Sequence, residues 1–271
     1  TTGIQVMEIN TLAQLLSIKG TAQRESAHRL LFMPDLFSYF LTGKATNEYC
    51  IASTSELLDA KRRDWSWETI EALGLPKHIF GEIVMPGTVR GELRKDIAEE
   101  TGLGDVKVIA VGSHDTASAV AAVPAIEGDG PVAFLSSGTW SLLGLELPEP
   151  ILTEEARKAE FTNEGGVGGR IRFLQNITGL WIMQRLMAEW KERGEEQTFA
   201  ELLPAAEQAT VSAFIPVADA AFMNPASMEQ AICDYCKQSS QPVPQTKAEI
   251  TRCVLQSLAA KYKEAIAGVN P

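Results

Sequence analysis

The sequence predicts an α/β protein, and three observations support that prediction. A β-branched apolar run, VKVIAV at residues 106–111, is followed by Gly112 and Ser113 and then by an alanine-rich segment of high helix propensity. Two further apolar runs, residues 132–135 and 140–147, flank a Ser-Ser-Gly-Thr turn and predict a hairpin. Segments with helix start and stop signals occupy most of the remaining chain.

The predicted strand, turn and helix of residues 106–122 contain the main candidate for a catalytic residue, Asp115. A run this apolar suits a strand that is buried on both faces. Asp115 then falls at the carboxyl end of a strand and the start of a helix, where open α/β sheets bind ligands. Two interpretations of Asp115 stay open: it caps the helix, or its carboxylate accepts a proton from a substrate hydroxyl. A carboxylate held by backbone N–H groups would be the weaker base.

Start and stop signals place helices before and after this centre. Asn10 can cap the first helix, and Pro34 suits the first turn of a later helix that ends at Gly43. A helix before Gly194 has Leu180, Met183, Met187 and Trp190 on one face.

The last third of the chain contains two capping boxes. Thr198 with Glu201 predicts one helix start, and Thr246 with Glu249 predicts the start of a long helix. Residues 212–245 contain several prolines and predict loops.

Two segments have the composition of phosphate-binding backbone. The hairpin turn at residues 136–139 offers hydroxyls and N–H groups, although the same residues populate ordinary turns. The glycine-rich loop at residues 163–170 lacks both the Lys-Ser/Thr ending of a Walker loop and the GxGxxG spacing. Asn176 can be a helix cap and Gln184 a solvated polar residue, so the pattern alone assigns neither.

Length and charge restrict the classes of partner. The 271 residues suffice for about two domains. The turn cluster at 127–131 places their boundary between residues 1–126 and 127–271. A net charge of −11 makes nucleic acid and anionic membranes poor partners, and no apolar run is long enough to span a bilayer. We predict a cytoplasmic protein, and because both ends look cut, we expect part of a longer one.

The four cysteines are too few to staple a chain of this size. Cys233 and Cys236 form a lone CxxC, with only Cys253 near them in sequence, and the three histidines are scattered. No metal site is therefore predicted.

Five motifs occur in collinear order along the chain. They are MPDLFSYFLTG at 33–43, SHDTASA at 113–119, LSSGTWSL at 135–142, TNEGG at 162–166 and NITGLW at 176–181. Each motif is weak alone, but the ordered set resembles the FGGY family of carbohydrate kinases, and within it the rhamnulokinases. The resemblance extends over essentially the whole chain.

The resemblance implies an actin-like, ribonuclease H-like ATPase fold with two domains, each incomplete in this chain. Residues 1–126 would be the C-terminal part of the sugar-binding domain, and residues 127–271 the N-terminal part of the nucleotide-binding domain. The implied reaction transfers the γ-phosphoryl group of ATP, with magnesium, to O1 of a ketose, here L-rhamnulose. Asp115 would accept the O1 proton.

The same resemblance implies further site residues. His114, Thr116 and Asn176 would contact the sugar together with Asp115. Gly138, Thr139 and Gln184 would contact the nucleotide. A disulfide between Cys236 and Cys253 is also implied, with Cys233 as a competing partner, although a cytoplasmic enzyme would keep these thiols reduced.

The chain departs from the family pattern in three places. It lacks the first phosphate loop, the glycine-rich adenine motif and the magnesium-proximal carboxylates of the first domain. We therefore expect that the 271-residue chain alone does not turn over ATP efficiently. Two alternatives stay open: another FGGY ketose kinase, such as a fuculokinase or xylulokinase, and a non-catalytic actin-like fragment. The presence of Asp115 and Thr139 argues against the second.

Overall fold

The computed structural model describes residues 1–124 and 132–269, which contain twelve α-helices and ten strands. The helices are α1 Thr11–Ser17, α2 Ala22–Glu25, α3 Met33–Thr42, α4 Tyr49–Ser53, α5 Trp67–Ala72, α6 Lys95–Thr101, α7 Asp115–Ala121, α8 Glu154–Lys158, α9 Trp181–Glu192, α10 Phe199–Gln208, α11 Met228–Gln238 and α12 Lys247–Val269. The strands are β1 Asn47–Glu48, β2 Leu58–Asp59, β3 Asp64–Trp65, β4 Ile83–Val84, β5 Val89–Glu92, β6 Lys107–Ile109, β7 Ala133–Ser137, β8 Trp140–Leu147, β9 Phe161–Gly165 and β10 Ile171–Thr178. The predicted mixture of strands and helices is confirmed.

The chain divides into two compact units. The first comprises Thr1–Ala133 and Leu145–Leu174, and the second comprises Phe134–Gly144 and Gln175–Pro271. The largest sheet has the strand order β7-β8-β10-β9. The predicted boundary between residues 126 and 127 lies outside the described residues and stays a prediction.

The core of the first unit includes one residue of α7, the helix that begins at Asp115. Tyr49, Trp65 and Ile70 are almost fully buried in this core, and the ring of Trp65 packs edge-on against Phe80 at 4.9 Å between centroids. Ala117 of α7 belongs to the same apolar cluster. Since burial of such side chains is the main stabilising contribution, this packing fixes α7 on the unit.

The strand that precedes Asp115 is shorter and more exposed than predicted. β6 has three residues and pairs antiparallel with β5 in a two-stranded sheet. Val106, Ile109 and Val111 are 40%, 52% and 64% exposed in the described chain. The prediction of a strand buried on both faces is therefore wrong here. Apolar composition produces burial only where neighbouring layers cover both faces, and the two strands do not build such a layer.

Helix signals in the sequence agree with the structure where they are local. Pro34 lies in the first turn of α3, and Gly43 ends that helix with a φ of 73°. Asn10 holds the N-cap position of α1, but its side chain makes no cap bond. The amide of Asn10 instead donates to the carbonyl of Gln5 at 2.8 Å and to Glu56.

The second unit packs α9, α10, α11 and α12 together. Both predicted capping boxes are confirmed, Thr198 with Glu201 and Thr246 with Glu249. The prediction that residues 212–245 are loops is wrong in part, because α11 lies within them. The missed signal is a serine at position 227 that accepts the N–H of the residue three positions later, at 3.1 Å. Among the described residues, no helix combines the length and hydrophobicity needed to cross a membrane.

All four cysteines are free thiols in this structure. Cys236 of α11 and Cys253 of α12 are buried. Burial raises the pKa of the Cys253 thiol to about 12, so this thiol stays protonated at neutral pH. Within residues 1–124 and 132–269, no three His, Cys, Asp or Glu side chains come together as a possible metal cluster.

Candidate functional site

Asp115 lies at the first position of α7 and does not cap it. The N-cap is His114, whose Nδ1 accepts the backbone N–H of Thr116 at 3.2 Å. The Asp115 carboxylate accepts the same N–H through Oδ1 at 2.7 Å, and its side chain is 99% exposed. The capping interpretation is therefore wrong for Asp115, and its carboxylate is accessible to a ligand.

His114 lies between Asp115 and a buried ion pair. Its Nδ1 is 3.3 Å from Oδ1 of Asp115, and its Nε2 is 4.0 Å from Oε2 of Glu164. Burial lowers the pKa of His114, and the positive charge of Arg172 lowers it further. The imidazole is therefore neutral at neutral pH.

We expect His114 to titrate at a lower pH in the folded chain than its ordinary pKa of 6.5. The measurement is the pH titration of its ring nitrogens by NMR, with the chain unfolded in urea as the control. Because the folded pKa is lowered, the unfolded state binds more protons between the two values. The free energy of unfolding should consequently rise with pH from the folded pKa up to 6.5. A folded midpoint above the unfolded one would contradict this assignment.

Glu164 and Arg172 come from neighbouring strands, β9 and β10. Their side chains are 9% and 0% exposed, and Nη2 of Arg172 is 3.0 Å from Oε2 of Glu164. The sequence motifs assign neither residue a role, although an acid and an arginine in otherwise buried strands signal a charge pair. The pair lies behind His114 and contributes to its electrostatic environment.

The predicted glycine-rich loop is partly a buried strand. Residues 163–165 belong to β9, and a Cβ on Gly165 would lie 2.6 Å from the ring of Tyr49. The N–H of Gly165 donates to Oγ of Ser53 at 2.7 Å. Close packing therefore explains this glycine, and its N–H is not available to a phosphate.

Gly138, Thr139 and Gln184 come together in the second unit. The N–H groups of Leu180 and Trp181, at the start of α9, donate to the carbonyls of Gly138 and Thr139 at 2.8 and 3.1 Å. Thr139 donates its hydroxyl to Oε1 of Gln184 at 3.1 Å, and both side chains are exposed. The hairpin turn thus rests on the start of α9.

These contacts determine which groups a ligand can reach at the turn. The N–H of Gly138 donates to the carbonyl of Trp140 at 3.0 Å and is not free. The hydroxyl of Thr139 and the amide of Gln184 are exposed polar groups at this turn. A Cβ on Gly179 would lie 2.6 Å from the carbonyl oxygen of Gly138, so the close approach of helix and turn requires glycine there.

Asn176 is a strand residue of β10 in the second unit, and it is half-buried. The interpretation of Asn176 as a helix cap is wrong, because Leu180 holds the N-cap position of α9. In the first unit, His114, Asp115 and Thr116 are joined by the hydrogen bonds described above.

Sequence comparison identifies relatives of about twice this length. The C-terminal domain of the FGGY family of carbohydrate kinases matches residues 133–270, and its N-terminal domain matches residues 1–122. A rhamnulokinase of Bacteroides thetaiotaomicron is 45% identical over 268 residues, 98% of this chain and 54% of the relative. A rhamnulokinase of Oceanobacillus iheyensis is 40% identical over 99% of this chain and 56% of the relative. The chain thus spans about half the length of the curated relatives it matches.

Solved structures of sugar and glycerol kinases share the fold. A ligand-bound xylulose kinase of Lactobacillus acidophilus has a TM-score of 0.71 at 17% identity, over 99% of this chain and 54% of that one. Glycerol kinase of Plasmodium falciparum with ADP has a TM-score of 0.71 at 11% identity, and the match covers 98% of this chain and 53% of the glycerol kinase. The predicted actin-like sugar-kinase fold is confirmed. The match to the C-terminal domain alone covers more than half of the residues of this chain. The chain therefore belongs to the FGGY family of carbohydrate kinases.

Proposed function

We propose that the whole protein transfers the γ-phosphoryl group of ATP to O1 of L-rhamnulose and forms L-rhamnulose 1-phosphate. The observation that carries this proposal is the exposed carboxylate of Asp115, oriented by the N–H of Thr116 beside a neutral histidine. The choice of sugar rests on the rhamnulokinases that match 98% and 99% of the chain. A cytoplasmic location is part of the proposal.

Asp115 is suited to accept the proton of the sugar hydroxyl. Neutral His114, 3.3 Å from the carboxylate, brings no positive charge that would pair with it. Phosphoryl transfer passes through a loose transition state, so positioning and charge stabilisation matter more than a strong base. We therefore assign Asp115 to orienting O1 and taking its proton late. His114, Thr116 and Asn176 are proposed sugar contacts.

Gly138, Thr139 and Gln184 are proposed to contact the nucleotide. Their support is that Thr139 and Gln184, 45 positions apart, present adjacent polar groups on an exposed surface. Bound MgATP supplies the phosphoryl group. The described residues contain no cluster of three His, Cys, Asp or Glu side chains that could hold the metal, so none of them is assigned to it.

The test uses two proteins, this chain alone and a chimeric kinase. The chimeric kinase replaces the matching 268 residues of the Bacteroides thetaiotaomicron relative with this chain. ADP release is measured with L-rhamnulose, xylulose and fuculose. We expect no efficient turnover by the chain alone and ATP-dependent phosphorylation of L-rhamnulose by the chimeric kinase.

The remaining outcomes separate the alternatives. Preference of the chimeric kinase for xylulose or fuculose would identify another ketose kinase. A folded chimeric kinase that is inactive with all three sugars would contradict a catalytic role. Robust turnover by the 271-residue chain alone would refute the expectation that it lacks essential parts.

A further inference from the structure

A fully buried carboxylate, that of Glu48, is bonded to the loop that carries His114 and leads into α7 at Asp115. Oε2 of Glu48 accepts two hydrogen bonds from Ser113, from its N–H at 3.0 Å and from its hydroxyl at 2.6 Å. Ser113 directly precedes His114 in the chain. We propose that Glu48 is a positioning residue for Asp115, which acts by fixing Ser113. This inference rests on the proposed function and deepens it.

The same carboxylate caps α4. Its Oε1 accepts the N–H of Cys50 at 2.8 Å, and its Oε2 accepts the N–H of Ile51 at 3.2 Å. Four donors therefore satisfy the buried carboxylate. One side chain thus joins the start of α4 to the loop before α7, across 65 positions of sequence.

Glu48 is itself attached to a buried support. Its backbone N–H donates to Oδ1 of Asp35 at 3.1 Å, and Asp35 forms an ion pair with Arg90 at 2.6 Å. The Asp35 and Arg90 side chains are 0% and 1% exposed. Glu48 also lies in β1, which pairs in parallel with β4. A support this buried restricts the movement of the Glu48 carboxylate.

Other bonds at the end of the loop next to α7 are local. Ser118 donates its hydroxyl to the carbonyl of Gly112 at 2.6 Å, and the N–H of Thr116 donates to His114 and Asp115. These bonds connect the loop to the first turns of α7. Backbone bonds of Ala110 to Gly87 and Thr88 hold the other end of the loop. The Glu48 bonds connect the residue directly before His114 to β1 and α4.

Glu48 acts through another residue and is not a catalytic residue. It is fully buried, and its four hydrogen bonds are all to groups of this chain. A misplacement of about 1 Å at a reacting group lowers turnover by about 10²-fold, so loss of this contact has a kinetic consequence.

The kinetic test compares Glu48→Gln and Ser113→Ala in the chimeric kinase. Glu48→Gln replaces one acceptor oxygen with a donor, and we expect kcat with L-rhamnulose to fall about 10–10²-fold with KM for ATP unchanged. Ser113→Ala removes only the hydroxyl bond and keeps the α4 cap, and we expect a smaller fall in kcat. Ile70→Val, a core change in the same unit, is the control for lost stability alone.

The second readout needs no activity and uses the 271-residue chain. Hydrogen exchange of the Ser113 amide should accelerate about tenfold or more in Glu48→Gln relative to Ile70→Val. The inference is overturned if Glu48→Gln folds and its kcat and Ser113 exchange equal those of Ile70→Val. If Glu48→Gln does not fold, kcat and amide exchange at position 113 are compared between Ser113→Ala and Ile70→Val, and equal values overturn the inference. A folded chimeric kinase with the native residues that is inactive overturns the proposed function, and hydrogen exchange of the Ser113 amide then decides separately whether Glu48 fixes the position of the loop.

Discussion

Replacing Asp115 with Asn should lower kcat of the chimeric kinase by about 10²–10⁴-fold, the usual contribution of a positioned general base. Asparagine has the same shape but cannot take the sugar proton. Because the Asp115 side chain is 99% exposed, the substitution should leave the fold and the KM for ATP nearly unchanged. Initial rates of ADP release at saturating ATP and L-rhamnulose provide the measurement.

The matched control for this prediction is Asp105→Asn. Asp105 is an exposed aspartate of the same unit that lies just before β6. The control should retain the activity of the native sequence, which shows that loss of one surface charge is not the cause. If Asp115→Asn and Asp105→Asn have the same kcat, Asp115 is not the proton acceptor.

Replacing Arg90 with Ala should destabilise the first unit by about 3–5 kcal/mol at neutral pH, as removal of one partner of a buried ion pair does elsewhere. The charged groups of Arg90 and Asp35 are 2.6 Å apart, and both side chains are almost completely buried. The substitution leaves the Asp35 carboxylate in the core without its partner. Hydrogen exchange of the amides of α4, in the core of this unit, measures the loss.

The destabilisation should be smaller in acid. Burial raises the pKa of Asp35 above 3.8 even though Arg90 opposes this, so removal of Arg90 raises it further. A carboxyl with a raised folded pKa contributes its stability below its unfolded pKa and loses that contribution as pH rises through the folded pKa. The penalty of Arg90→Ala should therefore decrease from neutral pH to about pH 5.

Two comparisons control the ion-pair prediction. Arg62→Ala breaks the exposed pair with Glu68 and should change the free energy of unfolding much less. The double substitution Asp35→Leu with Arg90→Met should recover most of the lost stability, because it leaves no unpaired charge in the core. If Arg90→Ala and Arg62→Ala are equally mild, the buried pair does not stabilise this unit.

Local signals in the amino-acid sequence determine part of the fold. The capping box of Thr198 and Glu201 and the helix stop at Gly43 depend on bonds and backbone angles within a few residues, so their residue types indicate them directly. The placement of Asp115 at a helix start follows from the same kind of signal. The exposure of β6 does not follow from a local signal, because it depends on which layers of the fold cover the strand.

The candidate site depends mainly on contacts between distant positions. Residue order and motif resemblance identify the family, the central Asp115 and a second set of residues at the hairpin turn. The contact of Thr139 with Gln184, the pairing of Glu164 with Arg172 and the hold of Glu48 on Ser113 appear only in the folded chain. Periodicity and capping patterns depend on interactions between residues that are close in sequence. The three pairs above form because packing brings together groups that are distant in sequence, and because a buried polar or charged group is stable only with a partner.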